Sequence, residues 1–249
     1  MSIIFLLFGL IIGSFLNVCI YRIPRRESVA WPGSHCPACG CVLKWYDNIP
    51  LLSYLFLTGK CRQCRSHISW RYPLVEAATG LLFAASYLNC GLSWPLLARL
   101  IFICLLVVIA LIDLEHLIIP NIIVLPGAVL GLTFSFLPGM PPFWQALASG
   151  LGAALFFFLI WFFYPGGMGE GDIKLALMLG LFLGWPLVGL AIFLAALAGS
   201  LAGLAVITLR GGNRKTQLPF GLYLALGSLA ALFFGQQLIN LYLKFLGWQ

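Results

Sequence analysis

Long apolar runs recur along almost the whole chain, and they constrain its fold more than any other feature. A run of about 18 to 25 apolar residues can cross a lipid bilayer as an α-helix. The candidate spans are residues 2–20, 73–92, 94–112, 118–137, 143–163, 173–183, 185–209 and 218–238. The chain is 62% apolar and only 8% charged, whereas soluble domains are about half apolar and a quarter charged. We therefore predict a multi-pass membrane protein.

The spanning segments are predicted to be helices packed as a bundle. In lipid the backbone must satisfy its own hydrogen bonds, and no alternation typical of a β-barrel is present. The fold class is thus all-α, a polytopic transmembrane helix bundle. The segment 173–183 is short and could be a half-span that continues into the segment 185–209 with a break at Trp185-Pro186, so either seven or eight spans are expected.

The distribution of basic residues predicts the topology. Net charge is +7, and most of the positive charge falls in two polar segments. These residues are Arg22, Arg25, Arg26, Lys44, Lys60, Arg62, Arg65 and Arg71 in the first segment, and Arg210, Arg214 and Lys215 in the last loop. Basic loops stay in the cytoplasm, so we expect the N-terminus to lie outside. We also expect the first helix to remain as a permanent membrane anchor. The basic residues are expected to contact membrane lipids rather than nucleic acid.

Three domains follow from this pattern. They are the first transmembrane helix (residues 1–20), a cytoplasmic segment (residues 21–72) and a transmembrane catalytic helix bundle (residues 73–249). The cytoplasmic segment is too short to fold on apolar burial alone, and a bound metal would supply the missing stability.

Four cysteines in that segment predict a structural zinc site. They form two C-x-x-C pairs, Cys36 with Cys39 and Cys61 with Cys64, about twenty residues apart. Four thiolates complete a tetrahedral Zn²⁺ site and leave no open position for water. Two disulfides are the alternative, which a cytoplasmic location disfavours. The neighbouring His35, Cys41 and His67 are further possible ligands.

Two aspartates are the candidate catalytic residues. Asp113 and Asp172 each stand at the edge of an apolar segment, in a chain with only seven acidic residues. Carboxylates at membrane depth are costly and usually mark functional sites. Two carboxylates held close together share a proton, which suits acid–base hydrolysis of a peptide bond. The plain alternative is that they cap helices at the membrane interface.

Several short blocks carry a family resemblance. They are Gly13-Ser14-Phe15-Leu16-Asn17-Val18, Tyr21-Arg22, the two cysteine pairs, Asp47-Asn48-Ile49-Pro50, Arg71-Tyr72-Pro73-Leu74-Val75-Glu76, Asp113 with Ile119-Pro120-Asn121, and Gly169-Glu170-Gly171-Asp172-Ile173-Lys174. Together they cover nearly the whole chain. In this order they resemble the prepilin peptidases, membrane aspartic proteases of type IV pilus, competence and type II secretion systems.

The resemblance implies a function for the chain. It implies that Asp113 and Asp172 are the catalytic pair, and that the substrates are prepilins or pseudopilins. A short basic leader would be removed at the cytoplasmic face of the bacterial inner membrane. Many members also methylate the new N-terminus with S-adenosylmethionine, but no residues that would bind this cofactor are identified. Glu115 stands where many relatives carry Asp, which keeps a carboxylate there.

Three other functions are weighed against this expectation. Presenilin-type intramembrane proteases share the Gly-x-Gly-Asp block but pair it with Tyr-Asp, whereas Ile112 precedes Asp113 here. A proton-coupled transporter should show inverted repeats, and the two aspartate segments share no pattern. An inactive zinc-bearing membrane scaffold would not need its aspartates.

Overall fold

The fold is all-α over the residues described by the computed structural model, which are 1–164, 166, 168–210 and 218–247. The α-helices are α1 (Ser2–Arg22), α2 (Leu52–Phe56), α3 (Arg71–Cys90), α4 (Trp94–His116), α5 (Asn121–Phe134), α6 (Phe143–Phe163), α7 (Glu170–Leu183), α8 (Leu187–Arg210) and α9 (Phe220–Phe245). The extended pairing described in these ranges is limited to two isolated β-bridges. The predicted fold class is therefore confirmed.

Within the described residues, five helices are long and apolar enough to cross a membrane: α1, α4, α6, α8 and α9. Helices α5 and α7 have 14 residues each, so each is about 21 Å long at 1.5 Å per residue. Helix α3 is long enough, but it carries two charged residues, Arg71 and Glu76, near its start. The multi-pass class is confirmed, and the number of seven or eight crossings stays a prediction.

The chain forms two compact units, Met1–Val108 and Ile109–Gln249. In the first unit, α1 and α3 form an antiparallel pair with small residues at their interface. A Cβ atom at Gly9 would lie 2.8 Å from Gly80 Cα, and one at Gly13 would lie 2.8 Å from Glu76 Cα. Small residues permit this close approach of two helices in a membrane.

The polar segment between α1 and α3 contains two similar cysteine hairpins. The bridge His35–Val42 closes the first hairpin, and the bridge Lys60–His67 closes the second. We call residues 35–42 the first knuckle and residues 60–67 the second knuckle. A 3₁₀ turn, Trp45–Asn48, lies between them in the chain.

Helix α7 is the central element of the second unit. It packs against α5, α6 and α9, and nine of its 14 residues are buried, including Asp172. Helix α8 packs mainly on α9, where Gly227 lies against Ala191 O. Gly184, with φ +67°, separates α7 from α8, next to the predicted break at Trp185-Pro186.

Replacing Gly180 should destabilise this unit. A Cβ atom at Gly180 would lie 2.5 Å from Ser149 O and 2.6 Å from Gly150 Cα, and backbone atoms of a packed helix cannot move aside cheaply. We expect Gly180→Ala to lower the free energy of unfolding by about 1–3 kcal/mol, measured by thermal unfolding in detergent. Gly189→Ala is the matched control, because nothing lies within 4 Å of a Cβ at that position; equal melting temperatures for both variants would contradict the close contact.

Candidate active site

Asp113 is held in the last turn of α4 by the first turn of α9. Its side chain is buried, with 5% of the residue exposed. Its Oδ2 accepts a hydrogen bond from the backbone N–H of Leu222 at 3.1 Å. The first N–H groups of a helix have no partner within the helix, so this donor is free to bind a carboxylate.

Asp172 lies in the first turn of α7 and is also buried, with 7% of the residue exposed. Its Oδ2 accepts the N–H of Gly169, the residue that precedes the helix, at 3.2 Å. A carboxylate in this position is stabilised by the helix dipole. Capping explains why an aspartate is tolerated here, but it does not explain why a second buried carboxylate lies nearby.

Ile119 links the two aspartates. A Cβ atom at Gly221 would lie 3.0 Å from both Asp113 Oδ2 and Ile119 Cδ1, and a Cβ atom at Gly171 would lie 2.8 Å from Ile119 Cβ. The charges of Asp113 and Asp172 are close enough to interact. The two residues that the sequence singles out are therefore brought together, although they are far apart in the chain.

The other polar residues of the two clusters lie outside this buried pair. Glu115 and Glu170 are exposed, and Glu115 Oε2 lies 4.0 Å from His116 Nε2. Lys174 Nζ donates to Asn121 Oδ1 at 3.1 Å. This bond joins the first residue of α5 to α7.

Four glycines in the loop before α7, Gly166, Gly167, Gly169 and Gly171, predict a backbone that can approach a substrate closely. Gly166 has φ +83°, a conformation that favours glycine, whereas Gly169 has an ordinary φ of −84°. Gly171 is required for its contact with Ile119. Gly167, also part of this expectation, lies outside the described residues.

Sequence reasoning missed Gly221 and Leu222, at the start of α9. The only local signal is Pro219, because proline is common at the start of a helix. Their importance depends on a contact with Asp113, more than one hundred residues earlier in the chain.

The four predicted cysteine ligands form one cluster. The Sγ atoms of Cys36, Cys39, Cys61 and Cys64 all lie within 4.8 Å of one another, and the Sγ atoms of Cys36 and Cys64 are 3.9 Å apart. A tetrahedral zinc with Zn–S bonds of about 2.3 Å requires sulfur atoms about 3.8 Å apart. The cluster therefore fits a metal ion, whereas a disulfide would need an S–S bond of about 2 Å.

The two knuckles use the same hydrogen bonds around this cluster. In the first, Cys36 N donates to Cys41 O at 2.9 Å; in the second, Cys61 N donates to Ser66 O at 2.8 Å. In each knuckle the first cysteine is buried and the second is exposed. Cys41 is therefore the counterpart of Ser66.

Cys41 and Ser66 both lie next to ligand sulfurs. Cys41 Sγ is 3.9 Å from Cys61 Sγ, and Ser66 Oγ is 3.0 Å from Cys64 Sγ. The hydrogen bond with Ser66 lowers the pKa of the Cys64 thiol. Burial alone would raise the pKa of Cys36, but hydrogen bonds from backbone N–H groups, those of Cys39 and Ala38, and from neighbouring side chains lower it to about 6. These two shifts favour the thiolate form that binds metals, whereas the pKa of Cys39 is raised to about 12 and that of Cys61 is also raised, with hydrogen bonds to neighbouring thiols among the causes.

Two carboxylates anchor the polar segment. Asp47 Oδ1 accepts from Arg62 Nη2 at 2.8 Å, and this hydrogen bond raises the pKa of Arg62. Glu76, buried on α3, accepts the N–H of Leu51 at 2.8 Å. The role of Glu76, undetermined from the sequence, is thus to join the polar segment to α3.

The comparisons with known proteins agree over the whole chain. Residues 7–90 match the bacterial peptidase A24 N-terminal domain. Residues 100–204, which include both aspartates, match the type IV leader peptidase family. No solved structure matches the chain.

Curated relatives carry one shared name, prepilin leader peptidase/N-methyltransferase. The protein from Pseudomonas aeruginosa is 36% identical over 98% of this chain and 94% of its own length. The protein from Bacillus subtilis is 35% identical over 98% of both chains. The protein from Myxococcus xanthus is 43% identical over 82% of this chain and 62% of its own length. With two family models matched in order and two relatives of 35–36% identity aligned over 94% or more of their own length, the chain belongs to the type IV leader peptidase family.

Proposed function

We propose that this chain is a prepilin leader peptidase that uses Asp113 and Asp172 as its catalytic pair, and that it also methylates the new N-terminus. The observation that carries the proposal is the buried pair itself. Both carboxylates lie within the matched peptidase region, both are less than a tenth exposed, and their charges interact. The family match gives no support to a transporter or to an inactive scaffold.

The proposed chemistry is hydrolysis by one ionised and one protonated carboxyl group. The ionised group takes a proton from water as the water oxygen bonds to the scissile carbonyl carbon, and the protonated group gives its proton to the carbonyl oxygen. The intermediate then collapses: the C–N bond breaks, the leaving nitrogen takes the proton acquired from water, and a hydroxyl proton returns to the second carboxyl group. Close carboxylates divide these roles because both cannot ionise easily.

The proposed substrates are prepilins or pseudopilins, cut between a short basic leader and an apolar helix. We place the active site and the cysteine cluster on the cytoplasmic side of the bacterial inner membrane, with the N-terminus outside. Asp113 lies in the last turn of α4 and Asp172 in the first turn of α7. If α5 and α6 each cross the membrane, both aspartates lie on one face of it. The basic residues of the polar segment supply the positive-inside signal and contacts with anionic lipids. Arg214 and Lys215 of the last basic loop lie outside the described residues.

The domain division we propose is residues 1–20 as the first membrane helix, residues 21–72 as the zinc-binding segment, and residues 73–249 as the catalytic bundle. Cys36, Cys39, Cys61 and Cys64 would hold Zn²⁺ in a closed structural site. When bound, the metal would supply folding stability to a segment with little apolar core.

S-adenosylmethionine is the proposed methyl donor. The described residues form no β-strand, so they provide no strand–turn–helix fold of the dinucleotide-binding kind.

The test is co-expression with a type IV prepilin, followed by mass spectrometry of the pilin. We expect a product that lacks its leader, and a further mass increase of one methyl group when S-adenosylmethionine is present. Cells without this chain provide the control. An intact precursor in membranes that contain the folded protein would overturn the peptidase, and a cleaved but unmethylated product would remove only the second activity.

A further inference from the structure

The start of α9 lies directly against Asp113. The backbone N–H of Leu222 donates to Asp113 Oδ2 at 3.1 Å, and Phe220 fixes the same turn by packing on Phe157 of α6, with ring centroids 5.9 Å apart. The turn therefore fixes how Asp113 is presented.

Gly221 leaves no room for a side chain in this turn. A Cβ atom there would lie 3.0 Å from Asp113 Oδ2, 3.1 Å from Asp113 Cγ and 3.0 Å from Ile119 Cδ1. Two of these three atoms belong to the carboxylate itself. Its φ lies outside the range that only glycine adopts readily, so the requirement for glycine is steric and not conformational.

We propose that Gly221 is a positioning residue for the reaction: its missing side chain allows the first turn of α9 to hold the Asp113 carboxylate through the N–H of Leu222. This inference rests on the proposed function, because it gives Gly221 a role only through a catalytic Asp113. It adds a residue that lies outside the matched peptidase region, which ends at residue 204.

The first test is Gly221→Ala. Alanine favours helices more than glycine does, so helix propensity cannot account for a loss. The added methyl group would displace the Asp113 carboxylate by a few tenths of an ångström, in a reaction where 1 Å costs about a hundredfold. We therefore expect kcat for leader removal to fall roughly tenfold, with KM nearly unchanged because binding of the rest of the substrate is untouched. Gly189→Ala, which adds the same methyl group in open space, should keep wild-type kcat.

Leu222→Pro is the second test, and it removes the donor itself. Proline lacks an N–H, and in the first helical turn the lost N–H has no partner within the helix. The variant adds no atom at residue 221, so it answers the question even if Gly221→Ala does not fold. We expect a similar fall in kcat, with KM and thermal unfolding close to wild type.

Asp113→Asn, assayed alongside, separates the possible failures. If Asp113→Asn is inactive while Gly221→Ala or Leu222→Pro, once folded, retains wild-type kcat, the positioning role of Gly221 is wrong and the proposed function stands. If Asp113→Asn cleaves normally, the proposed function falls, and this inference falls with it. A loss confined to KM would also overturn the positioning role.

Discussion

Asp113→Asn and Asp172→Asn are each expected to abolish leader removal, with a loss of at least about 10²- to 10⁴-fold, the usual contribution of acid–base catalysis. Asparagine keeps the shape of the side chain, and its carbonyl oxygen can still accept the N–H of Leu222 or Gly169 that the carboxylate accepts now. What it loses is the ability to take or give the proton. The measurement is the rate of leader removal from a prepilin, with membrane insertion of each variant checked separately.

Glu115→Gln and Glu170→Gln are the matched controls for this prediction. Each removes one carboxylate from the same two sequence clusters, but at an exposed position. We expect both to cleave at close to the wild-type rate. If Glu115→Gln were as inactive as Asp113→Asn, charge near the site, and not the buried pair, would be what the reaction requires.

Cys61→Ser should release the metal and loosen the whole polar segment. Cys61 is buried and contributes one of four clustered sulfurs, and apparent binding free energies of structural zinc in small domains are about 10–16 kcal/mol. Loss of one thiolate therefore removes much of the stability of a segment with few buried apolar residues. We expect the bound zinc, measured by elemental analysis of the purified protein, to fall from one equivalent toward zero, and protease cleavage within residues 23–70 to become faster.

Cys41→Ser is the matched control for the metal site. Cys41 Sγ is 3.9 Å from Cys61 Sγ, yet Cys41 corresponds to Ser66 of the second knuckle, so serine at this position reproduces a group that the fold already uses. We expect full zinc content. If Cys41→Ser lost its zinc while Cys61→Ser retained it, our assignment would be wrong, and Cys41 would be the fourth ligand in place of Cys61.

The catalytic aspartates and the cysteine ligands could be predicted from the sequence because each is unusual in its local sequence context. A carboxylate beside an apolar run and a pair of C-x-x-C motifs are rare by chance, and each has a specific physical cost or use. The grouping of the cysteines in space also follows from the sequence, because two C-x-x-C pairs at this spacing supply four ligands to one metal ion. The structure accordingly brings both sets together.

The contacts of Lys174 and Gly221 could not be found in the same way. The partner of Lys174 is Asn121, 53 residues away, and the neighbour of Gly221 is Asp113. Both contacts depend on which helices of the bundle are adjacent, and apolar periodicity does not determine the order in which membrane helices pack. The correspondence of Cys41 with Ser66 likewise emerges only when the two hairpins are compared bond by bond.

The shortness of α5 and α7 has a consequence for the surrounding lipid. The two helices pack against each other, and Lys174 and Asn121 tie their first turns at the level of the aspartates. Their length of about 21 Å is less than the roughly 30 Å of a bilayer's hydrocarbon core, and α5 exposes large apolar side chains such as Ile122 and Val129. Such hydrophobic mismatch is relieved by local thinning of the bilayer. Acyl-chain length is therefore a variable to which this enzyme's activity should respond, because a thinner bilayer shortens the path between water and the buried carboxylates.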